Sequence, residues 1–303
     1  MATVLISGGT GLVGRHLSKK LKEKGYHVVL LSRAKNLDTD IPTYIWDLDK
    51  QEIDKEAIEA ADYIIHLAGA NIGDKRWTKK RKQLIIDSRV KTGQLIYSKV
   101  KEHNKKLKAF ISASAVGYYG TITSDQIFNE TAPPANDFLG NTCNQWELTA
   151  DKFQDLGIRT VKIRTSLVLT EQEGALAKMM APIKMGIVSA LGNGKQYLPW
   201  IHIDDLCGIY IKAIEDAQMN GAYNAVAPDH KTNKDFTLAL AKVLKKTSTF
   251  PNVPAIALKI IFGEMSEILL KGSRVSSEKI IKSGYNFLFP DLESTLTNLA
   301  NKE

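Results

Sequence analysis

The chain has 303 residues, with 41 Lys+Arg against 33 Asp+Glu for a formal net charge of +8, 44% hydrophobic residues and two cysteines. That length supports one large or two modest domains whose core needs neither disulfides nor a structural metal, and the composition excludes disorder for most of it. No uncharged apolar run reaches the roughly 18 residues of a membrane span, and the opening MATVLISGGTGLVG lacks the basic-then-apolar layout of a secretion signal, so neither is expected.

Thr3–Ser7 is a short apolar run that stops at glycines and predicts a strand. Val13, Leu17 and Leu21 follow at i, i+4 and i+8, a helical pattern that Gly25 should close. His27–Ser32 predicts a second strand, giving strand, helix and strand within the length of a βαβ unit. Between the first strand and the helix stands Ser7-Gly8-Gly9-Thr10-Gly11-Leu12-Val13-Gly14. Gly9, Gly11 and Gly14 satisfy G-x-G-x-x-G, while Gly8, Gly11 and Gly14 satisfy G-x-x-G-x-x-G. In this strand–helix setting the loop reads as a dinucleotide cradle. Glycines allow a tight turn and close approach to a pyrophosphate, and the helix N-terminus offsets its charge. A glycine-rich turn that binds nothing is the competing reading.

The end of the second strand selects the dinucleotide. An acid there suits a ribose 2′-hydroxyl, whereas a 2′-phosphate repels a carboxylate and favours arginine. Ser32-Arg33 offers a hydroxyl beside a guanidinium, which favours NADP(H) over NAD(H). An arginine merely exposed after a strand is the alternative.

Residues 63–67, 109–112 and 160–164 read as further strands, separated by helix-prone stretches near 51–60, 78–103 and 141–156. Apolar strands alternating with helices indicate an α/β, Rossmann-type, doubly wound parallel sheet covered on both faces. After Arg164 the rhythm changes to a helix near 174–185, a loop around Gly192 and Gly194, Trp200-Ile201-His202-Ile203 leading into a helix, and a strand at 222–226. The remainder is mostly helical, punctuated by Pro251, Pro254 and Pro290. The expected division is a dinucleotide-binding domain over 1–170, with segments near 195–227 returning to it, and a smaller, mostly helical C-terminal substrate domain over 171–303. A helical module occupies about 250–300.

Gly8/Gly11/Gly14, Leu67-Ala68-Gly69, Ser112-Ala113-Ser114 with Tyr118-Tyr119-Gly120, and Trp200-Ile201-His202-Ile203-Asp204-Asp205 together resemble the extended branch of the short-chain dehydrogenase/reductases. Ser88-Arg89-Val90 and Phe262-Gly263-Glu264-Met265 narrow the resemblance to the "epimerase family protein" group, NADP-binding proteins with a C-terminal domain of unknown function. The resemblance implies that the backbone of Leu67, Ala68 and Gly69 passes the adenosine ribose and pyrophosphate, that Arg89 reaches the cofactor, and that Val168 contacts its nicotinamide end. It also places Asp47-Leu48, after a short strand at 43–46, beside the adenine.

The resemblance further implies a Tyr-x-x-x-Lys pair in which lysine lowers the tyrosine pKa. Aligned on Trp146-Glu147 and Asp151, however, the tyrosine slot holds Cys143 and the lysine slot Glu147. A carboxylate raises a neighbouring acid's pKa, the opposite of lysine's effect, and should keep the Cys143 thiol protonated. Ser114 keeps the family's spacing before Tyr118 and implies a hydrogen bond to a substrate oxygen, with Ser112 the fallback register. Tyr118 or Tyr119 is the remaining proton donor, with a phenol near pKa 10 when no cation assists it. The candidate catalytic residues are therefore Ser114, Tyr118 and Cys143.

His202 reads as structural or pocket-lining, with Asp204 as N-cap of the helix that follows. Trp77, Trp146 and Trp200 read as packing residues. No metal-ligand spacing is present, and Cys143 and Cys207 read as free thiols in a reducing, cytoplasmic setting. Residues 75–82 carry six basic side chains, which suits a solvated helix face or a phosphate contact. Three function classes follow: an NADP(H)-dependent oxidoreductase or epimerase on a small carbonyl or sugar-like substrate, an NADP(H) sensor, and a nucleic-acid binder. The first two are favoured, no membrane partner is expected, and a homodimer is left open.

Overall fold

The computed structural model describes residues 1–34, 39–171, 173–247 and 250–300. β1 (Thr3–Ser7) feeds α1 (Leu12–Glu23), whose Leu17 and Leu21 are fully buried, as their spacing predicts. Gly25 ends this helix: at φ +82° its N–H reaches the Lys22 carbonyl at 2.9 Å, and the N–H of Tyr26 reaches the Leu21 carbonyl at 3.0 Å. Two terminal carbonyls are thereby satisfied in a geometry that disfavours a side chain at residue 25.

The chain continues through β2 (His27–Ser32), β3 (Thr43–Asp47), β4 (Glu52–Ile53), α2 (Lys55–Ala60), β5 (Tyr63–His66), α3 (Lys79–Glu102), β6 (Ala109–Ala115) and β7 (Ile127–Phe128). Next come α4 (Phe138–Asp151), β8 (Thr160–Thr165), β9 (Leu167–Leu169), α5 (Gly174–Lys184), β10 (Trp200–His202), α6 (Ile203–Glu215) and β11 (Gly221–Ala225). The main sheet has the order β11-β8-β6-β5-β1-β2-β3-β4, parallel except for the β3–β4 pair. Strand order reverses between β1 and β5, the point at which a doubly wound sheet opens a ligand crevice beyond its carboxyl ends.

Strand alternation divides the core. Val4 and Ile6 of β1 pack with α1 and α6 through Leu17, Leu21, Leu206 and Tyr210, while Leu5 faces α3 and α4 with Leu95, Ile96 and Ala150. On that second face Phe110 and Phe153 stack with centroids 3.6 Å apart, a contact worth about 1 kcal/mol beyond the area it buries.

The C-terminal elements are α7 (Asn233–Val243), α8 (Ala255–Phe262), α9 (Glu267–Leu270), β12 (Arg274–Val275), α10 (Glu278–Lys282) and α11 (Leu292–Ala300). α5, α7 and α11 share a third core containing Met180, Trp200, Phe236 and Leu296. β11 joins the main sheet at its edge beside β8, whereas β10 pairs with β9 alone. One expected cap is corrected. α6 begins at Ile203, so His202 is its N-cap and accepts from Asp204 N at 3.0 Å, while Asp204 lies in the first turn and pairs with Lys20 at 2.8 Å. Among the described residues no helix is long and apolar enough to cross a membrane, and no group of three potential metal ligands occurs.

Candidate functional site

At the strand reversal two loops meet backbone to backbone. Gly8 leaves β1 at φ +75°, and a Cβ there would stand 2.8 Å from Ala68 N and 2.9 Å from the Leu67 carbonyl carbon. A Cβ on Gly14 would stand 2.5 Å from both Gly8 O and Gly9 Cα, so the first turn of α1 sits on the loop. Gly11 is the N-cap of α1, offers no side chain to its free N–H groups, and is followed by no acid in the first turn. That end of the helix is suited to an anion. Gly9 is buried, Leu12 and Val13 are half-buried, and Thr10 is exposed with its carbonyl accepting from Arg15 Nη1 at 2.6 Å. Arg15 is also paired with Glu173 at 2.7 Å.

Beneath the cradle, Ser7 Oγ and His66 Nδ1 share a 2.7 Å hydrogen bond, and His66 Nε2 lies 3.2 Å from Thr92 Oγ1 and 3.3 Å from the Arg89 carbonyl. Burial lowers the His66 pKa to about 4, so the imidazole is neutral. Gly69 lets the Arg89 guanidinium lie against the main chain, since a Cβ there would meet Arg89 Cζ at 2.9 Å. Arg89 donates to the Ile85 carbonyl at 2.9 Å and lies 5.0 Å from the Trp146 ring. Burial lowers its pKa to about 10, and among the described residues no carboxylate forms an ion pair with it. A shielded cation without a counter-charge, beside a glycine cradle, suits a phosphate-bearing ligand.

Ser32 ends β2 half-buried, and Arg33 follows exposed, with no acid at either position. Val168 is half-buried in β9, opposite Ile201 of β10. Asp47 Oδ1 accepts from Lys50 N and Asp49 N, which holds its carboxyl below the usual range and closes its own turn, with Leu48 half-buried alongside.

The candidate catalytic residues lie on a buried polar network. Arg164 of β8 holds both oxygens of Glu147, Nε to Oε1 at 2.7 Å and Nη2 to Oε2 at 2.9 Å. Its Nη1 donates to the Tyr119 hydroxyl at 2.9 Å, and Tyr119 donates to Asn224 Oδ1 at 2.7 Å. Ser114 donates to Glu147 Oε1 at 2.7 Å, so its proton is committed inside the protein. The Arg164 guanidinium also covers the Tyr118 ring at 3.5 Å. Against the cost of burial, Glu147 and Tyr119 hold Arg164 above its ordinary pKa. Burial raises Tyr118, with Arg164 opposing and Glu147 adding to the shift, and pushes Tyr119 to about 12. Cys143 is pushed to about 12 by burial and then by Glu147.

Glu147 therefore faces the sheet and is consumed by Arg164. One helical turn earlier, Cys143 and Leu139 border Gly117. A register that made those two positions the lysine and tyrosine slots would contain neither residue either.

The sequence profile of the NAD-dependent epimerase/dehydratase family matches residues 4–225, and that of a domain of unknown function, DUF1731, matches residues 253–299. The chain belongs to the NAD-dependent epimerase/dehydratase family. Epimerase family protein YfhF of Bacillus subtilis is 35% identical over 297 residues, covering 98% of this chain and 97% of that protein. An epimerase family protein of Staphylococcus aureus is 33% identical over 99% of both chains. Among solved structures, a human epimerase family protein, SDR39U1 isoform 2, crystallised with NADPH, superposes with a TM-score of 0.88 at 29% identity, covering 99% of this chain and 100% of that one. A nucleoside-diphosphate sugar epimerase from Corynebacterium glutamicum gives 0.80 at 30% identity, covering all of this chain and 59% of its own.

As a nucleotide-binding member of this family, the chain uses several of its remaining motifs for architecture. His202 is fully buried and stacks on Phe289 at 3.8 Å. Its neighbour Asp205 accepts from Leu288 N (2.8 Å), Phe289 N (3.0 Å) and the Tyr285 hydroxyl (3.0 Å), anchoring the C-terminal segment. Trp77, Trp146 and Trp200 are all buried. In the basic run, Lys82 pairs with Glu264, Arg81 donates to the Asn71 carbonyl, and Trp77 clusters with Met265 and Phe262. Arg164, Asn224 and Asp205 were not singled out from sequence as polar centres. The available signal was an arginine and an asparagine inside strands otherwise reading as core.

Proposed function

We propose that the protein binds NADP(H) at the β1/β5 cradle and acts as a cytoplasmic reductase or epimerase on a small carbonyl or sugar-like substrate. The observation that carries this reading is Ser32-Arg33, free of any acid, at the end of the strand beside a glycine cradle that side chains would fill. The human relative crystallised with NADPH supports it. Gly8, Gly9, Thr10, Gly11, Leu12, Val13 and Gly14 would hold the pyrophosphate, Leu67, Ala68 and Gly69 the ribose side, Arg33 the 2′-phosphate, Arg89 a further phosphate oxygen, and Val168 the nicotinamide end.

The bound cofactor supplies hydride at nicotinamide C4. Tyr118, kept protonated by burial and held by Arg164, supplies a proton to the substrate oxygen. Burial keeps the phenol in its protonated form, the form that donates to a carbonyl oxygen as hydride arrives. Ser114, its own proton held by Glu147, presents lone pairs to a substrate hydroxyl.

A second reading, an NADP(H) sensor without turnover, is favoured by one observation: in either register α4 lacks the Tyr/Lys pair, and its Cys143 is protonated.

Titration with NADPH and NADH tests the cofactor. Arg33→Asp should weaken NADPH by about tenfold or more, the worth of a charge-assisted contact, and leave NADH nearly unchanged; equal losses would remove the assignment. NADPH oxidation across a carbonyl panel, abolished by Tyr118→Phe with NADPH affinity retained, supports the reductase. Tight binding with no oxidation supports the sensor.

A further inference from the structure

α8 is an anomaly for a surface helix. Seven of its eight residues are apolar, yet only Leu258 is buried. Ile256, Ile260 and Ile261 are 65%, 69% and 58% exposed, and Phe250, which precedes the helix, is 51% exposed. Ile256 and Ile260 are one turn apart, with Lys259 also in solvent, so the outward stripe is aliphatic with a lysine at its edge.

The basic run adjoins this helix. Arg76 Nη2 lies 3.0 Å from where a Cβ of Gly263, just past α8, would stand, and Lys82 pairs with Glu264. Lys75, Arg76, Lys79 and Lys80 remain exposed and form no ion pair among the described residues; Asp74 offsets one of these charges. The two carboxylates that follow the helix in sequence are paired, Glu264 with Lys82 and Glu267 with Lys271.

We infer that α8 and residues 75–80 form a docking face for an anionic lipid surface. An exposed aliphatic helix with a basic segment at its end has the two components of reversible interfacial binding: side chains that enter the headgroup region and charges that meet acidic headgroups. A second copy of this face would set like charges against each other. A protein partner would have to supply a groove matched to the isoleucines, whereas a lipid surface needs only the exposed stripe and the adjacent cations. The absence of an apolar span led to the expectation of no membrane partner; peripheral docking requires no span.

Flotation of the full chain with phosphatidylcholine vesicles, with and without phosphatidylglycerol, tests the inference. Binding is expected only to the anionic vesicles and should be released by high salt. I256S/I260S and K75S/R76S/K79S/K80S should each lower partition by about tenfold or more, with thermal melting unchanged as the control for folding. Failure to float with anionic vesicles overturns the inference. So does flotation that survives I256S/I260S, because charge alone would then explain it. Loss of self-association in I256S/I260S, without any lipid binding, would assign the face to a second copy instead.

Discussion

Arg164 lies 3.5 Å from the centroid of the Tyr118 ring while its Nε and Nη2 grip both oxygens of Glu147 at 2.7 and 2.9 Å. The cation missing from the lysine slot of α4 is thus present nearby, delivered from β8, and it touches the tyrosine through the face of its ring. Because the pair is buried, removing one partner strands a charge. Glu147→Ala should cost about 3 to 5 kcal/mol, read as a lowered denaturation midpoint. Glu147→Gln also removes the charge but keeps an acceptor oxygen for Ser114 and Arg164, so it should cost less; a midpoint equal to that of Glu147→Ala would show that the stranded charge alone sets the loss, and one near the parent that the hydrogen bonds do.

The parts of this arrangement that depend on local chemistry were legible in the sequence. Gly8, Gly14 and Gly25 each announce a backbone constraint, and apolar spacing announces α1 and the strands. Partnerships across the sheet were not legible. Glu147 and Arg164 are 17 residues apart and Tyr119 and Asn224 are 105 apart, and no local pattern pairs them. The sequence points to Asp204 as the cap because an acid before a helix is the commoner signal, whereas a buried imidazole, His202, fills that position.

His66 makes stability depend on acid. Its pKa falls from 6.5 in the unfolded chain to about 4 in the fold, so the native state binds the proton less readily. The contribution is fully present above pH 6.5 and is lost as the pH falls toward 4, by roughly 3 kcal/mol at about 1.4 kcal/mol per pH unit. Chemical denaturation at a series of pH values should show this slope in the parent and a shallower one in His66→Gln.

Asp205 ties the last sixth of the chain to α6 by accepting from two peptide nitrogens and the Tyr285 hydroxyl. Asp205→Ala removes the acceptor of these part-buried donors, at about 1 kcal/mol for each lost hydrogen bond. Hydrogen exchange should rise selectively over residues 285–300, with the β1–α1 segment protected as before. Uniform loss of protection would mean that the two regions open together.

Gly11 and Gly14 separate folding from binding. A methyl at residue 14 would stand 2.5 Å from two main-chain atoms of the Gly8-Gly9 loop and cannot be accommodated without moving the cradle, so Gly14→Ala should lower both the melting temperature and NADPH affinity. At residue 11 the backbone is already extended, φ −76° and ψ 171°, and the sole close neighbour of an added methyl is Gly8 O at 3.3 Å. Gly11→Ala should therefore melt near the parent temperature and lose affinity alone, because its methyl occupies the space a pyrophosphate needs at the N-terminus of α1. If Gly11→Ala keeps both stability and NADPH affinity, the pyrophosphate does not sit at this helix end, and the cofactor assignment built on the cradle falls with it.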